Sequence, residues 1–193
     1  MTSFELQEIT FAPVAPPTRL HLGCGPNRLE GWANVDIEAR YRPDILHDLS
    51  LGLPAAPGTV ERIYSEHFWE HLPFEAGQRL FAHCFVALRP GGVLRVAMPD
   101  LAYVVAKYLG DWKDQAWLQL PEYGFVDTPA RMINLCMREW GHQHLYDWPE
   151  LELRLRQAGF TSIRQCEWGS SEHPELAGLE TRPDSLLVAE ATR

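Results

Sequence analysis

Basic residues and cysteines are scarce in this chain of 193 residues. It has 17 lysines and arginines against 26 aspartates and glutamates, which gives a net charge of −9 and a pI near 5.3. Because nucleic-acid-binding proteins normally present a basic face, this balance predicts that the protein has no nucleic-acid partner. The four cysteines are far apart and form no C-x-x-C pair, so we expect reduced thiols rather than a zinc ribbon or a disulfide framework.

Long apolar runs are also missing. No stretch approaches the roughly 18 apolar residues of a membrane helix, and the first residues lack the basic, apolar and small-residue order of a signal peptide. We therefore expect no membrane partner and a cytoplasmic location. Apolar residues nevertheless make up 46% of the chain, with seven tryptophans, which is enough for one compact domain with a sizeable core.

The segment 19–27 (RLHLGCGPN) carries the first informative pattern. Its alternating leucines predict a short buried strand, and Gly23 and Gly25 then allow a sharp turn whose backbone is open to a ligand. A second apolar run follows and ends at Asp36, eleven residues past Gly25. In open α/β sheets ligands bind beyond the carboxyl ends of the strands, and an acid there commonly binds the two ribose hydroxyls. The pattern predicts a nucleoside site, with an ordinary tight turn as the alternative.

Further along the chain, strand-like and helix-like patterns alternate. Residues 110–147 are crowded with aromatic side chains, and so long an insertion predicts either a lid over an acceptor site or a dimer surface. Residues 1–18 contain three prolines and no sustained period, which predicts an arm on the surface or reaching a partner.

Apolar spacing and turn residues predict the remaining strands and helices. The strands are expected at 44–48, 60–65, 92–98, 160–168 and 185–191, the last two antiparallel, and the helices at 74–88, 101–109, 132–140 and 149–158.

Several of these segments together resemble a known family. The combination is similar to a class I S-adenosylmethionine-dependent methyltransferase, and more narrowly to a small subfamily of predicted bacterial methyltransferases. The resemblance covers roughly residues 19 to 191. It implies a Rossmann-like α/β three-layer sandwich in a single domain, 19–193, with a mostly parallel sheet and an antiparallel last strand. The residues that carry it are 22–25 (LGCG), Asp36, 65–71 (SEHFWEH), 88–94 (LRPGGVL) and 141–147 (GHQHLYD).

One segment departs from the family pattern. Only residues 26–32 separate the glycine turn from the second strand, too few for more than a turn, so we expect the first inter-strand helix to be shortened. The missing helix and third glycine also count against an NAD(P)-dependent sugar-nucleotide oxidoreductase. That class stays as one alternative, and a partner subunit that binds S-adenosylmethionine without catalysis is the other.

The resemblance also implies which residues contact the cofactor, S-adenosyl-L-methionine. The acid after the second strand would bind the ribose, and in the family an acid after the third strand accepts a hydrogen bond from the adenine amino group. We expect the cysteine inside the glycine turn to be a small residue packed beneath the cofactor rather than a reactive thiol. The expected cofactor-binding residues are Gly23, Cys24, Gly25, Asp36, Ile37, Asp48, Leu49, Glu66 and His67.

Histidines are the candidates for a general base, because an imidazole titrates near neutrality. Two lie four residues apart after the fourth predicted strand, and two more lie in the presumed lid beside a tyrosine and Asp147. An H-x-H beside a carboxylate can bind zinc, but only two or three ligands can be named there, so we expect no metal. Packing or backbone hydrogen bonding is the alternative role for each. The catalytic candidates are His67, His71, His142, His144 and Tyr146.

Methyl transfer is a displacement at a sulfonium carbon that already carries a good leaving group. The protein must hold the acceptor close and collinear, exclude water and remove a proton where the acceptor needs it. We therefore expect methylation of a small-molecule or sugar-type acceptor beneath an aromatic lid. A homodimer is one of the oligomeric states that the sequence allows.

Overall fold

The computed structural model describes residues 18–193, so the expected arm 1–18 lies, apart from Thr18, outside the described residues. Seven strands form one sheet in the order β3-β2-β1-β4-β5-β7-β6. The first five strands run parallel, and β7 runs antiparallel to both β5 and β6. This confirms the mostly parallel sheet with a reversed last strand. The strands are β1 Arg19–Leu22, β2 Ala33–Asp36, β3 Ile45–Leu46, β4 Val60–Glu66, β5 Leu88–Met98, β6 Ser162–Cys166 and β7 Leu187–Thr192.

Several strands differ from their expected bounds; β6, for example, spans Ser162–Cys166 where 160–168 was expected. The third is only two residues long, where the apolar pattern suggested 44–48. The fifth begins at Leu88, which pairs with Val60, and the register then shifts so that Arg62 pairs with Val93. Residues 90 and 91, which precede the expected strand 92–98, therefore lie within β5, where they interrupt its pairing with β4.

The four α-helices lie within a few residues of their expected positions: α1 Phe74–Ala87, α2 Leu101–Leu109, α3 Pro129–Arg138 and α4 Trp148–Ala158. Local chemistry sets their ends. The side chains of Asp100, Thr128 and Asp147 cap the first turns of α2, α3 and α4 by accepting backbone N–H groups. Gly159 ends α4 in the left-handed region at φ +112°. Within the described residues no helix is both long and apolar enough to cross a bilayer.

The main core lies between the sheet and the pair α1 and α4. Ile63, Leu94 and Val96 pack there from the sheet. The ring of Trp69, from the turn after β4, stacks on Phe81 of α1 with centroids 3.7 Å apart. This stacking fixes the turn that follows β4 against the helix.

Loops cover the opposite face of the sheet. Tyr64 and Val93 point to that side and pack against Trp32 and Leu176, which come from the segment before β2 and from the connection between β6 and β7. Residues 26–32 form turns without a helix, as expected from their number. The 167–186 connection therefore helps to cover this face of the sheet.

A buried arginine ties that connection to the sheet. Arg95 of β5 is fully buried, and its Nε donates to Glu180 at 2.6 Å while its Nη1 donates to Glu190 of β7 at 2.7 Å. The same Nη1 donates to the carbonyl of Ser170 at 2.9 Å. A buried guanidinium is tolerated only when it is paired and hydrogen-bonded, so the partners must stay in place for the fold to be stable.

We expect Glu190→Gln to lower the free energy of unfolding by about 3 kcal/mol, since it removes one of the two carboxylates that neutralise the buried Arg95 guanidinium. Burial alone would raise the pKa of Glu190, but hydrogen bonds from Ser171, Arg164 and Arg95 outweigh it and lower the pKa. The contribution is therefore complete above the pKa of an unfolded glutamate and is lost as the pH falls through the folded pKa. Urea unfolding at several pH values measures both effects, and the difference from wild type should shrink in acid.

Glu172→Gln is the matched control for this prediction. Glu172 also pairs with Arg164, but its side chain is 81% exposed. An exposed pair contributes about 0 to 1 kcal/mol, so this variant should unfold close to wild type. Equal losses in the two variants would mean that the buried network does not hold the connection.

Candidate functional site

The site lies at the carboxyl edge of β1 and β4. These two parallel strands are neighbours in the sheet, yet the chain leaves β1 towards β2 on one side and leaves β4 towards β5 on the other. Ligands of open α/β sheets bind in the crevice at such a reversal of strand order. The glycine turn follows β1 and the segment 66–71 follows β4, so both sequence motifs meet at this crevice.

Both glycines of the turn have left-handed backbones. Gly23 has φ +61° and Gly25 has φ +50°. A Cβ added at Gly23 would lie 2.4 Å from the Phe68 ring, whereas one at Gly25 would meet nothing within 4 Å. Gly23 is thus required by close packing, and Gly25 borders open space. Cys24 between them is buried, and burial raises the pKa of its thiol to about 11.

Asp36, at the end of β2, braces the glycine turn. Its Oδ2 accepts the N–H of Gly25 at 2.7 Å and its Oδ1 accepts the N–H of Glu38 at 2.8 Å. Each carboxylate oxygen has a second lone pair, so two positions stay available for hydroxyl donors. The next residue, Ile37, is 61% exposed and offers an apolar surface beside them.

Asp48 and Leu49 start a short 3-10 turn at the same edge of the sheet. The Asp48 carboxylate accepts the N–H of Ser50 at 2.9 Å and so caps the turn, while Leu49 is buried. The hydroxyl and N–H of Ser50 lower the pKa of Asp48, so the carboxylate is ionised at neutral pH. It can accept one more hydrogen bond, as the adenine contact expected from the family would need.

Glu66 is used by the protein itself. Its carboxylate accepts hydrogen bonds from the N–H and hydroxyl of Thr181, the N–H of Arg182 and the hydroxyl of Ser185, at 2.7 to 3.0 Å. Burial would raise the pKa of Glu66, but these donors outweigh it and lower the pKa. The geometry therefore makes Glu66 an anchor for the 181–185 segment, where a direct cofactor contact was expected.

A cavity of about 830 Å³ opens next to this anchor. Its walls come from the turn after β4, the end of β5 with α2, the 115–145 region and the 181–186 segment. Apolar and aromatic side chains predominate, with carboxylates and imidazoles at one side. Among the lining residues are His67, His71, Asp100, Tyr103, Trp117, Trp140, His142, Arg182 and Asp184.

The expected lid forms a small aromatic cluster over the cavity. Trp117 contacts the rings of Tyr123 and Trp140 edge-on, with centroids 5.0 and 5.6 Å apart. Beneath it, Met132 and Cys136 of α3 pack with Val104 of α2 as a separate core. The 110–147 region is therefore a packed unit resting on α2 and not a loose excursion.

Three of the predicted histidines meet at the cavity wall. His67 has a left-handed backbone, φ +48°, which is unusual for a residue with a side chain. Its Nδ1 lies 3.4 Å from a Glu70 carboxylate oxygen, and its Nε2 lies 3.6 Å from Asp184. The rings of His71 and His142 are 5.0 Å apart. Burial lowers the pKa of His67 to about 4 and also lowers the pKa of His71 and His142, so all three are neutral at pH 7.

Glu70 is the site residue that the sequence did not reveal. Its side chain is 1% exposed, and neither carboxylate oxygen has a hydrogen-bond partner among the described residues. Burial raises the pKa of Glu70 to about 8. The only sign in the sequence is its position between two histidines in a segment that ends at a cavity.

His144 and Tyr146 lie elsewhere. His144 packs against Phe74 and Tyr146, and its Nε2 is 3.5 Å from Glu150. Tyr146 is 1% exposed in the main core, edge-on to Phe81. The H-x-H pair is thus divided: His142 is held at the cavity by the carbonyl of Cys136, and His144 is held against α1 and α4.

The chain is similar in fold to several solved structures. It superposes on a SAM-dependent methyltransferase from Thermotoga maritima, described as a possible histamine N-methyltransferase, with a TM-score of 0.55 and 15% identity over 93% of this chain and 83% of that one. A S-adenosylmethionine-dependent methyltransferase from Mesorhizobium loti gives 0.54 and 19% over 92% and 93%. One from Archaeoglobus fulgidus gives 0.55 and 13% over 91% and 85%.

No protein-family model matches the sequence, and no curated protein does. The mostly parallel sheet with its reversed last strand is the fold that these structures share. The chain therefore has the fold of the class I S-adenosylmethionine-dependent methyltransferases.

Proposed function

We propose that this chain transfers a methyl group from S-adenosyl-L-methionine to a small-molecule or sugar-type acceptor. The observation that carries the proposal is the left-handed glycine turn braced by Asp36, at the reversal of strand order in a methyltransferase fold. A nucleoside held there would lie beside the cavity at the end of β4. The two compartments that methyl transfer needs are therefore adjacent.

The residues at the turn fit the cofactor. The free lone pairs of Asp36 suit two ribose hydroxyls, the open side of Gly25 leaves room for the chain that links ribose to methionine, and exposed Ile37 suits the face of a base. The Asp48 carboxylate can accept a hydrogen bond from the exocyclic amino group of adenine. When bound, S-adenosylmethionine supplies a methyl group on a positively charged sulfur.

The cavity residues would bind and orient the acceptor. A volume of about 830 Å³ lies within the range of about 300 to 1,000 Å³ typical of small-molecule sites. Aromatic walls from Trp117 and Trp140 suit a ring, and Asp100 and Asp184 suit its hydroxyl or amino groups. An acceptor packed against these walls would displace water from them, which strengthens each polar contact inside.

A neutral imidazole in this cavity would remove the acceptor's proton. His67 is the candidate nearest the crevice, because it directly follows β4 and its Nε2 lacks a hydrogen-bond partner among the residues described. Asp184 lies 3.6 Å from that nitrogen and would stabilise the imidazolium that forms.

The cofactor site is tested by Asp36→Asn. The substitution keeps the size of the side chain but removes the charge that strengthens hydrogen bonds to the ribose. We expect the affinity for S-adenosylhomocysteine, measured by titration calorimetry, to fall by about 5- to 100-fold, corresponding to roughly 1 to 3 kcal/mol.

Asp44→Asn is the control. Asp44 also accepts a backbone N–H on β2, that of Asn34 at 2.9 Å, but belongs to none of the proposed contacts. Its affinity should stay within about twofold of wild type, given that both variants melt cooperatively. Unchanged affinity in Asp36→Asn would count against the assignment of the site.

The acceptor site is tested by Trp117→Ala after a screen with labelled S-adenosylmethionine. We expect ring-bearing small molecules to be methylated, and nucleic acids and proteins not. For the best acceptor, removal of the Trp117 ring should lower kcat/KM by about tenfold or more, because a stacking surface is lost, with affinity for S-adenosylhomocysteine unchanged.

Tyr108→Ala serves as the comparison, since Tyr108 lies on α2 outside the cavity and is 40% exposed. It should keep the wild-type kcat/KM. Methylation of macromolecules, or equal effects of the two substitutions, would contradict the placement of the acceptor in this cavity.

A further inference from the structure

A buried carboxylate without a partner needs an explanation. Both oxygens of Glu70 are enclosed and accept no hydrogen bond, although such groups are almost always satisfied in folded proteins. Among residues 18–193 the basic side chains in close ion-pair contact with it are histidines: Nδ1 of His67 lies at 3.4 Å and Nε2 of His71 at 3.9 Å. No lysine or arginine of the described chain forms an ion pair with it. A small cation from solution would complete this environment.

The histidines around Glu70 are prepared as ligands. Nδ1 of His142 lies 2.7 Å from the carbonyl oxygen of Cys136. Because a carbonyl can only accept, Nδ1 carries the proton and Nε2 keeps its lone pair. Metal-binding histidines are usually oriented in this way by a hydrogen bond from the other ring nitrogen. Nδ1 of His71 faces Gly141, since a Cβ added to that glycine would lie 3.5 Å from this nitrogen. Nε2 of His71 faces Glu70.

The backbone joins the two segments that carry these side chains. The N–H groups of Gln143 and His144 donate to the carbonyl of Glu70 at 2.7 and 3.2 Å, and the Gln143 side chain donates to the carbonyl of His71 at 2.7 Å. The segments are 72 positions apart in sequence at this last contact. The cluster is therefore built by the fold and not assembled from mobile surface side chains.

The distances suit a metal ion. One ligand atom each from Glu70, His71 and His142 lie within 4.8 Å of one another. Two ligand atoms that each lie about 2.1 Å from a tetrahedral zinc are about 3.4 Å apart. Movements of the side-chain ligand atoms by about 1 Å would therefore bring them to the spacing that the ion needs.

We propose that Glu70, His71 and His142 bind one divalent transition-metal ion at the wall of the cavity. Two imidazoles and one carboxylate suit Zn²⁺ and its neighbours such as Co²⁺, whereas Mg²⁺ prefers sites made of oxygen. His67, whose Nδ1 lies 3.4 Å from the Glu70 carboxylate, would donate a hydrogen bond to it and orient it. Three protein ligands leave a fourth position, and since His71 and His142 line the cavity that position faces it.

An ion at this place would bind an oxygen or nitrogen atom of the molecule in the cavity. That this molecule is the methyl acceptor rests on the proposed function, but the metal site itself does not. It also differs from the H-x-H pair considered in the sequence, because His144 lies apart and the carboxylate comes from the turn after β4.

The test is titration of chelator-treated protein with Zn²⁺ in competition with a chromogenic chelator. Wild type should bind one Zn²⁺ per chain. Glu70→Gln and His142→Asn should each weaken binding by about tenfold or more. His144→Asn, which removes the neighbouring histidine outside the cluster, should bind as wild type does. Co²⁺ should give visible absorption bands of a low-coordinate site in wild type and His144→Asn only.

Thermal melting shows whether the variants fold. Glu70→Gln removes an unpaired buried carboxyl, so without metal its Tm should equal or exceed that of wild type, and the same Zn²⁺ concentration should raise the Tm of wild type and His144→Asn but not that of Glu70→Gln. Less than one Zn²⁺ per wild-type chain, or the same affinity in Glu70→Gln, would overturn the proposal. Binding of S-adenosylhomocysteine is measured in a separate titration. If the protein does not bind S-adenosylhomocysteine, the proposed function is refuted; if it does not bind Zn²⁺, the metal site is refuted.

Discussion

The buried guanidinium of Arg95 sets the arrangement of the whole site. A charge at the centre of a sheet is stable only if carboxylates reach it, and here one comes from β7 and the other from the connection between β6 and β7. The requirement pulls that connection across a face of the sheet that has no helix from the first crossover. Once there, the chain continues into residues 181–185, which close on Glu66, and delivers Asp184 to the cavity. The electrostatics of one core residue thus shape a wall of the binding site.

The strands and helices could be predicted because their signals are local. Alternating leucines before Gly23, the helical spacing of aromatic residues in α1 and the capping residues of α2 and α4 all act within a few positions. The same holds for the glycine turn and Asp36, whose hydrogen bond spans only eleven residues. Motif and geometry agree there, because a short connection leaves the chain few alternatives.

The rest of the site depends on contacts between distant parts of the chain. Glu66 was correctly placed at the crevice, but its donors are 115 to 119 residues away, so nothing near it in sequence showed that they would occupy its carboxylate. The burial of Glu70 could not be predicted from its neighbours in sequence, because it depends on the stacking of Trp69 on α1. His142 and His144 seemed equivalent in sequence, and only the carbonyl of Cys136 and the carboxylate of Glu150 separate them.

The contact between Gly23 and Phe68 joins the two halves of the crevice. A methyl group at position 23 would overlap the Phe68 ring, and that ring stands between His67, which bears the strained backbone, and Trp69, which is locked onto α1. The absence of a side chain at position 23 is therefore required by the Phe68 ring, which both neighbouring residues hold in place. A larger residue here would displace Phe68 and, with it, the turn that carries His67 and Trp69.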